Sequence, residues 1–245
     1  MKFHRTKMLI GPEALKRLRQ THVIVFGIGG VGSWCAEALI RSGVGKLTLV
    51  DNDVVCETNI NRQMQATSKT IGQFKVEALK ERLLEIHPDA QIETLPIAYN
   101  RDTRESFDLS QYDYVIDAID SLSHKVNLIA SAMAVGTTLF STMGAASKID
   151  PTTIKVDSIW KSKGCRLARF VRKRLRKRGA QGDCLCVYSP ERFSLFGELP
   201  EPEEEDVDAW SETKAQVNGS MVHMTGTFGF YLAGLVVQDV AGKSG

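Results

Sequence analysis

The 245-residue sequence lacks the cysteine pairs that a thiolate metal site requires. Its five cysteines are Cys35, Cys56, Cys165, Cys184 and Cys186, and none of them forms a C-x-x-C pair. A four-thiolate zinc site is therefore not expected. An odd number of scattered thiols is typical of a reducing compartment, so we predict a cytoplasmic protein.

Long apolar runs are also missing. The first residues contain no apolar signal-peptide core, so we expect no secretory signal. The most apolar late stretch, Val222–Val240, is interrupted by His223, Thr225 and Asp239. A membrane helix needs about 20 consecutive apolar residues. The stretch therefore predicts a buried helix, and we expect no membrane association.

The stretch Lys161–Arg178 contains no acidic residue, although the formal net charge of the whole chain is only +2. Leu167, Phe170, Val171 and Leu175 recur there at helical spacing, which predicts a helix with one packed face and a cationic remainder. Such a stripe is typical of nucleic-acid binding, and the alternative is an ordinary solvated helix face. The candidate RNA-binding residues are Lys161, Lys163, Arg166, Arg169, Arg172, Lys173, Arg174, Arg176, Lys177 and Arg178. The acidic run Glu198–Asp208 predicts a solvated loop.

Predicted strands alternate with predicted helices along most of the chain. The apolar run His22–Gly27 is typical of a strand buried on both faces of a parallel sheet. The pattern predicts an α/β fold: a Rossmann-like, doubly wound, mostly parallel sheet with a C-terminal extension that carries the basic helix. The remaining predicted strands are Lys46–Val50, Gln91–Pro96, Tyr114–Asp117, Thr138–Thr142, Ile154–Val156 and Cys186–Tyr188. The predicted helices are Glu13–Arg19, Gly32–Ser42, Lys75–Ile86 and Ser123–Val135.

A glycine-rich motif follows the first buried strand and opens a helix. Gly27, Gly29, Gly30 and Gly32 match G-x-G-x-x-G, which allows a tight turn and a close approach of phosphate to the backbone. Asp51 ends the next strand, where a carboxylate can accept ribose hydroxyls. The motif therefore predicts nucleotide binding. It does not distinguish a dinucleotide from ATP, because both can bind to such a turn. The alternative is a turn without a ligand.

Charged residues further along the chain favour ATP over a dinucleotide. Attack at the α-phosphate of ATP builds negative charge on the phosphoryl oxygens and on the departing pyrophosphate, and cations stabilise that charge. Arg62 and Lys75 can supply the cations. Asp120, just past the strand that ends at Asp117, can hold a metal ion at the carboxyl edge of the sheet.

Six motifs occur in an order that resembles the ubiquitin-activating-enzyme-like superfamily, the group of ThiF, MoeB and HesA. They are FHRT at residues 3–6, GIGGVG, LVDND, TNINRQ, GQFK and DAID. The resemblance implies one adenylating domain over residues 1–245, with a core at 1–150 and a substrate-binding portion at 151–245. It also implies ATP and Mg²⁺ as cofactors and a homodimer.

The resemblance implies roles for individual residues. Asp51 would hold the ribose, Asn59, Arg62 and Lys75 would contact the phosphates, and Asp120 would bind Mg²⁺. Arg5 would reach into the site of the neighbouring subunit. The implied catalytic residues are Arg5, Arg62, Lys75 and Asp120. The implied nucleotide-binding residues are Gly27, Gly29, Gly30, Gly32, Asp51, Asp53, Asn59, Arg62, Gln63 and Lys75.

Within this superfamily the chain is most similar to the tRNA threonylcarbamoyladenosine dehydratases. The likeness lies in Met143–Thr152, the basic stretch, Val187–Glu191, Asn218–Val222 and Gly226–Gly229. It implies that ATP activates the threonyl carboxylate of the modified adenosine beside the anticodon of tRNA, after which a ring closes and AMP leaves.

Two other functions stay open on the sequence. One is an adenylyltransferase that activates the C-terminal glycine of a ubiquitin-like or sulfur-carrier protein. The other is a redox enzyme or nucleotide-gated binding module that uses the same glycine motif. The missing zinc pairs and the basic helix favour RNA over a protein substrate. The sequence identifies no cysteine-desulfurase-type or redox partner.

Overall fold

The computed structural model describes residues 2–191 and 219–242. Seven strands form one sheet in the order β3-β2-β1-β4-β5-β7-β6, and all neighbours are parallel except β6 and β7. The strands are β1 His22–Phe26, β2 Lys46–Val50, β3 Gln91–Leu95, β4 Tyr114–Asp117, β5 Thr138–Thr142, β6 Lys155–Ser158 and β7 Leu185–Tyr188. The predicted doubly wound, mostly parallel α/β sheet is confirmed.

Helices cover both faces of this sheet. They are α1 His4–Gln20, α2 Gly32–Ser42, α3 Lys75–Ile86, α4 Leu122–Val135, α5 Arg166–Lys177 and α6 Val222–Gly242. Successive residues of a strand point to opposite faces. Val23 and Val25 accordingly pack with α1, α2, α3 and α6, whereas Ile24 and Phe26 pack with α4 and α5. The basic helix α5 therefore lies on the opposite face of the sheet from α2, the helix that the glycine-rich motif opens.

The main boundary error lies at the first helix. The sequence pattern predicts Glu13–Arg19, but α1 begins at His4 and is bent at Gly11, whose φ is 83°. Gly11 and Pro12 interrupt the helical periodicity, which hides the first turns from a pattern-based prediction. At the other end of the chain, α5 begins at Arg166, so Lys161 and Lys163 lie in the turn before the helix.

The late apolar stretch forms α6, which packs against α2. A Cβ built on Gly229 would lie 2.6 Å from the carbonyl oxygen of Val31 and 2.8 Å from the amide nitrogen of Cys35. Only glycine allows this close approach. The predicted buried helix is confirmed, and no helix in the described part of the chain is long and apolar enough to cross a membrane. The acidic run Glu198–Asp208 lies outside the described residues.

Candidate functional site

The glycine turn, Gly27–Gly32, connects β1 to α2. It lies at the switch point of the sheet, where the strand order reverses at the junction of β1 and β4. Crevices at such a switch point bind ligands in open α/β sheets. A Cβ on Gly27 would lie 2.6 Å from the carbonyl oxygen of Ala118, and one on Gly32 would lie 1.9 Å from that of Gly27. Packing therefore demands glycine at both positions. Gly29 has more room, since the nearest atom to its Cβ position is the amide nitrogen of Gln63 at 4.0 Å.

Asp51 lies at the end of β2 and is hydrogen-bonded to the turn. Its Oδ2 accepts from the backbone N–H of Ile28 at 2.6 Å, and its Oδ1 accepts from that of Asp53 at 2.9 Å. Burial raises the pKa of the Asp51 carboxyl, while the nearby Lys75 ammonium opposes that rise. Each carboxylate oxygen keeps a second lone pair, so Asp51 can still accept hydrogen bonds from a ribose.

Lys75 begins α3 and reaches back toward the same carboxylates. Its Nζ lies 2.6 Å from Oδ2 of Asp53, and the Lys75 side chain is only 8% exposed whereas that of Asp53 is 59% exposed. Lys75, Asp53, Asp51 and Ile28 thus form a continuous chain of hydrogen bonds into the glycine turn. The structure brings the predicted cation and the predicted ribose ligand together.

Arg62 lies on the other side of the turn. Its Cγ would be 3.3 Å from a Cβ on Gly30, and its guanidinium donates to the carbonyl of Thr58 and to Oδ1 of Asn61, both at 2.9 Å. The indole N–H of Trp34 donates to the Arg62 carbonyl at 3.0 Å. Trp34 therefore fixes the backbone that carries Arg62.

The residues between Asp53 and Lys75 form a hydrogen-bonded loop. Oδ1 of Asn59 accepts from the backbone N–H of Cys56 at 3.1 Å, and its carbonyl accepts from the N–H groups of Arg62 and Gln63. Gln65 is buried and donates to the carbonyl of Ile28 at 2.8 Å. Asn59 and Gln65 therefore set the shape of the loop against the turn, and Gln65 was missed because its partner is 37 residues distant in sequence.

Two aspartates follow one another at the end of β4 and differ in their surroundings. Asp117 is fully buried, where its Oδ2 accepts from Nζ of Lys125 at 2.7 Å and from the hydroxyl of Ser141 at 2.6 Å. Its Oδ1 accepts from the N–H of Ile119 at 3.1 Å, which holds the segment that leads to the exposed Asp120. Asp117 is therefore a structural ion-pair partner, and Asp120 is the carboxylate open to a ligand.

The surroundings of Asp120 fit the Mg²⁺ that the sequence predicts. No group of three or more His, Cys, Asp or Glu residues within 2–191 and 219–242 could hold a metal ion by itself. Mg²⁺ at nucleotide sites usually takes only one or two protein carboxylates and is completed by phosphate oxygens and water. One exposed aspartate at the switch point meets that requirement.

The basic helix α5 packs the face that the sequence predicts, but three of its predicted solvent-facing arginines are half-buried. Leu167, Val171 and Leu175 are buried. Arg172 is not an exposed cation: it is half-buried, donates to the hydroxyl of Ser162 at 2.6 Å, and has a pKa lowered by burial and by Arg176. The exposed candidates are Lys161, Lys163, Arg169, Lys173, Arg176, Lys177 and Arg178, and the half-buried ones are Arg166, Arg172 and Arg174.

The cysteines are placed where they cannot act as nucleophiles, apart from Cys56. Cys165 precedes the first turn of α5 but is buried, as are Cys35, Cys184 and Cys186. Burial raises the pKa of Cys186 to about 12 and raises those of Cys35 and Cys184 as well. A thiol that stays protonated is a poor nucleophile.

Arg5 lies on the exposed side of the first turn of α1. It makes no hydrogen bond or ion pair within the described ranges. Its neighbours Met8 and Leu9 are 73% and 86% exposed. Exposed aliphatic side chains of this kind often mark a contact with another protein surface.

The model of the ThiF family matches residues 3–242. The chain belongs to the ThiF family. Among curated members of similar length, it is 37% identical over 238 residues to the tRNA threonylcarbamoyladenosine dehydratase of Bacillus subtilis, covering 97% of this chain and 94% of that protein. It is 38% identical over 243 residues to the dehydratase of Haemophilus influenzae, covering 96% and 91%.

Solved structures of a tRNA dehydratase are also similar to this chain. The Escherichia coli tRNA N6-threonylcarbamoyladenosine dehydratase TcdA in complex with AMP superposes with a TM-score of 0.85 at 34% identity, covering 99% of this chain and 94% of that one. The same E. coli protein in complex with ATP gives a TM-score of 0.83. The family resemblance read from the motifs is confirmed.

Proposed function

We propose that this chain is an ATP-dependent tRNA threonylcarbamoyladenosine dehydratase. The observation that carries the proposal is that the likeness to dehydratases covers 96–97% of the chain, including the portion that contains α5. The helix α5 lies on the other face of the sheet from the helix that the glycine turn opens, so it belongs to the part that distinguishes substrates. The adenylating function alone requires only the glycine turn and the residues around it.

The reaction has two steps. The threonyl carboxylate attacks the α-phosphorus of ATP, and pyrophosphate leaves. The neighbouring carbamoyl group then attacks the acyl carbon, a ring closes, and AMP leaves with the oxygen that the carboxylate has lost. Oxide is a very poor leaving group and AMP is a good one, which is why ATP is needed. The second step is intramolecular, and effective molarities for well-oriented groups reach ~10⁵ M or more.

The arrangement of charged residues around the glycine turn supports the first step. Asp51 would accept the ribose hydroxyls, while Lys75 and Arg62 would stabilise the charge that develops on the phosphates. Lys75 would exchange its contact with Asp53 for a phosphate oxygen. Mg²⁺ held by Asp120 would supply further positive charge at the triphosphate. No step needs an enzyme nucleophile, in agreement with the buried thiols.

The remaining surfaces support proposals about the substrate and the assembly. The exposed cations of α5 would hold the phosphate backbone of tRNA, which positions the RNA without reading its sequence. The portion 151–245 would thus act as the substrate-binding part of one adenylating domain. We further propose a cytoplasmic homodimer in which Arg5 of one subunit enters the site of the other, with Met8 and Leu9 at the contact.

The proposed function is tested by incubating the purified protein with ATP and bulk tRNA that carries the modified adenosine. Mass spectrometry of the digested nucleosides should detect the loss of one water, and only when ATP is present. Parallel reactions replace ATP by NAD, or tRNA by ubiquitin-like carrier proteins. Adenylation of a carrier protein without any change in tRNA would replace this proposal with the protein-activating alternative.

A further inference from the structure

A second cationic surface lies beside the basic helix, built by elements that the sequence patterns did not connect. It is a groove of about 800 Å³, a volume within the ~300–1,000 Å³ typical of binding clefts. The loop after β3 forms one wall with Arg101, Asp102 and Arg104. The half-buried Ser123, His124 and Asn127 of α4 also line the groove, together with Arg178 after α5.

Arginines dominate the charge of this groove. Arg101, Arg104 and Arg178 face one lining acid, Asp102. Arg104 also lies 3.6 Å from Glu105, but both side chains are largely exposed and such pairs contribute little. Arg178 has no carboxylate within ion-pair distance in the described part of the chain, and its guanidinium instead donates to the neutral amide oxygen of Asn127 at 2.6 Å. Its pKa is lowered by burial and by Arg174 and Arg104. Cations that crowd one another favour a bound anion.

The walls are held in place by hydrogen bonds. Oδ1 of Asn100 accepts from the backbone N–H groups of Asp102 and Thr103, and the Thr103 hydroxyl donates to the carbonyl of Ala98 at 2.6 Å. On the opposite side, Arg174 donates to the hydroxyl of Ser123 at 2.9 Å, one helical turn before Arg178. The backbone of the loop and the two helices that carry the cations are therefore held in place, which reduces the entropic cost of ordering these segments on binding.

The groove connects the two parts of the proposed site. The first turn of α4 lines its near end, and that helix begins two residues after Asp120 at the carboxyl edge of the sheet. Its far end is Arg178, directly after the basic helix α5. Both surfaces lie on the face of the sheet that α4 and α5 cover. A strand of RNA that contacts α5 can thus continue along α4 to the nucleotide site.

We propose that this groove binds the phosphate backbone of the RNA substrate next to the nucleotide that is modified. The inference rests on the proposed function for the identity of the RNA, and it adds Arg101 and Arg104 to the substrate-binding surface. Contacts of this kind set the position of the RNA on the enzyme and contribute affinity that falls as salt rises.

The test compares an Arg101→Ala/Arg104→Ala double variant with wild type. The measurements are the affinity for tRNA as a function of salt, and the KM values for tRNA and for ATP. Each phosphate contact contributes about 0.7–0.9 to the slope of log K against log salt. We expect the slope of the double variant to be smaller in magnitude by about 1.5, and its KM for tRNA to rise about tenfold at physiological salt, with the KM for ATP unchanged.

Two control variants make the result specific. Lys16→Ala/Arg19→Ala removes two exposed cations from α1 on the opposite face, and its slope should match that of wild type. Arg101→Lys/Arg104→Lys keeps both charges, and it should recover most of the slope. Equal slopes for the groove double variant and the α1 control would overturn the inference.

Failure of the inference and failure of the proposed function give different results. If wild type dehydrates the modified nucleoside while the groove variant binds tRNA like wild type, the groove proposal is wrong and the reaction stands. The opposite outcome is that wild type fails to change the nucleoside while the groove variant still shows the smaller slope of log K against log salt. In that case the groove remains an RNA-binding surface and the proposed reaction is wrong.

Discussion

At the scale of single residues, the site depends on the way that charged groups near the glycine turn are paired. Lys75 contacts Asp53, whereas the neighbouring buried pair of Lys125 and Asp117 is enclosed by the core. A lysine whose partner is exposed can change partners when a phosphate arrives. A fully buried lysine cannot do so, because breaking a buried pair leaves an uncompensated charge.

Replacing Lys75 tests this difference. Lys75→Ala should lower kcat/KM by about 100- to 1,000-fold, because a cation that stabilises developing negative charge is lost. Lys80→Ala, on the same helix, should retain wild-type activity. The measurement is AMP formation with tRNA as acceptor. Wild-type kcat/KM in Lys75→Ala would refute the phosphate role of this residue.

The thiols provide a second test at this scale. We expect iodoacetamide at pH 8 to label Cys56 in the native protein. Burial protects Cys35, Cys165, Cys184 and Cys186, and the raised pKa values of Cys35, Cys184 and Cys186 lower their reactivity further. Intact-mass spectrometry should therefore detect one adduct. Cys165→Ser should keep the ATP-dependent reaction, and its inactivity would indicate a covalent step that the structure does not support.

At the scale of helices and strands, the parts of the site that local patterns determine could be predicted from the sequence. The glycine turn, α2, β2, α3 and β4 follow from apolar runs, periodicity and helix ends, all of which are local. Contacts made by distant residues could not be read in this way. Trp34 holds the Arg62 carbonyl and Gln65 holds that of Ile28. The inward turn of Arg172 likewise depends on Ser162, which is not part of the helix.

The contact between α6 and α2 leads to a prediction about stability. Gly229→Ala would place a Cβ 2.6 Å from the Val31 carbonyl, next to the glycine turn. Such overpacking costs about 1–3 kcal/mol, which corresponds to a decrease in Tm of roughly 2–12 °C for a chain of this size. Because Val31 belongs to the turn, affinity for ATP should also fall.

Gly234→Ala is the matched control on the same helix. No atom lies within 4 Å of the Cβ position of Gly234, and alanine favours helix over glycine by about 1 kcal/mol. Thermal unfolding should therefore give a Tm equal to or above that of wild type. A Gly229→Ala protein as stable as Gly234→Ala would contradict the close packing of α6 on α2.

At the scale of the whole molecule, the sheet separates two tasks. The helices α1, α2, α3 and α6 lie on one face and include the element that the glycine turn opens. On the other face, α4 and α5 carry the cations that we assign to RNA. The switch point between β1 and β4, at the carboxyl edge of the sheet, can be reached from both faces. The nucleotide and the modified adenosine must come together there. Exposed α1 residues add a third surface, which we assign to a second subunit.

The proposed dimer predicts complementation between two inactive proteins. Arg5→Ala and Lys75→Ala should each be nearly inactive. Co-expression should restore activity, because a mixed dimer joins an intact Lys75 site with an intact Arg5 from its partner. Random pairing gives about one quarter of the wild-type sites. If Arg5 acts within its own chain, the mixture will stay inactive.

The most direct measurement of the central claim is the stoichiometry of the reaction with ATP labelled at the α-phosphate. Adenylation of the RNA carboxylate predicts one AMP and one pyrophosphate for each modified nucleoside that loses water. Release of ADP and inorganic phosphate, or dehydration without any AMP, would contradict the account.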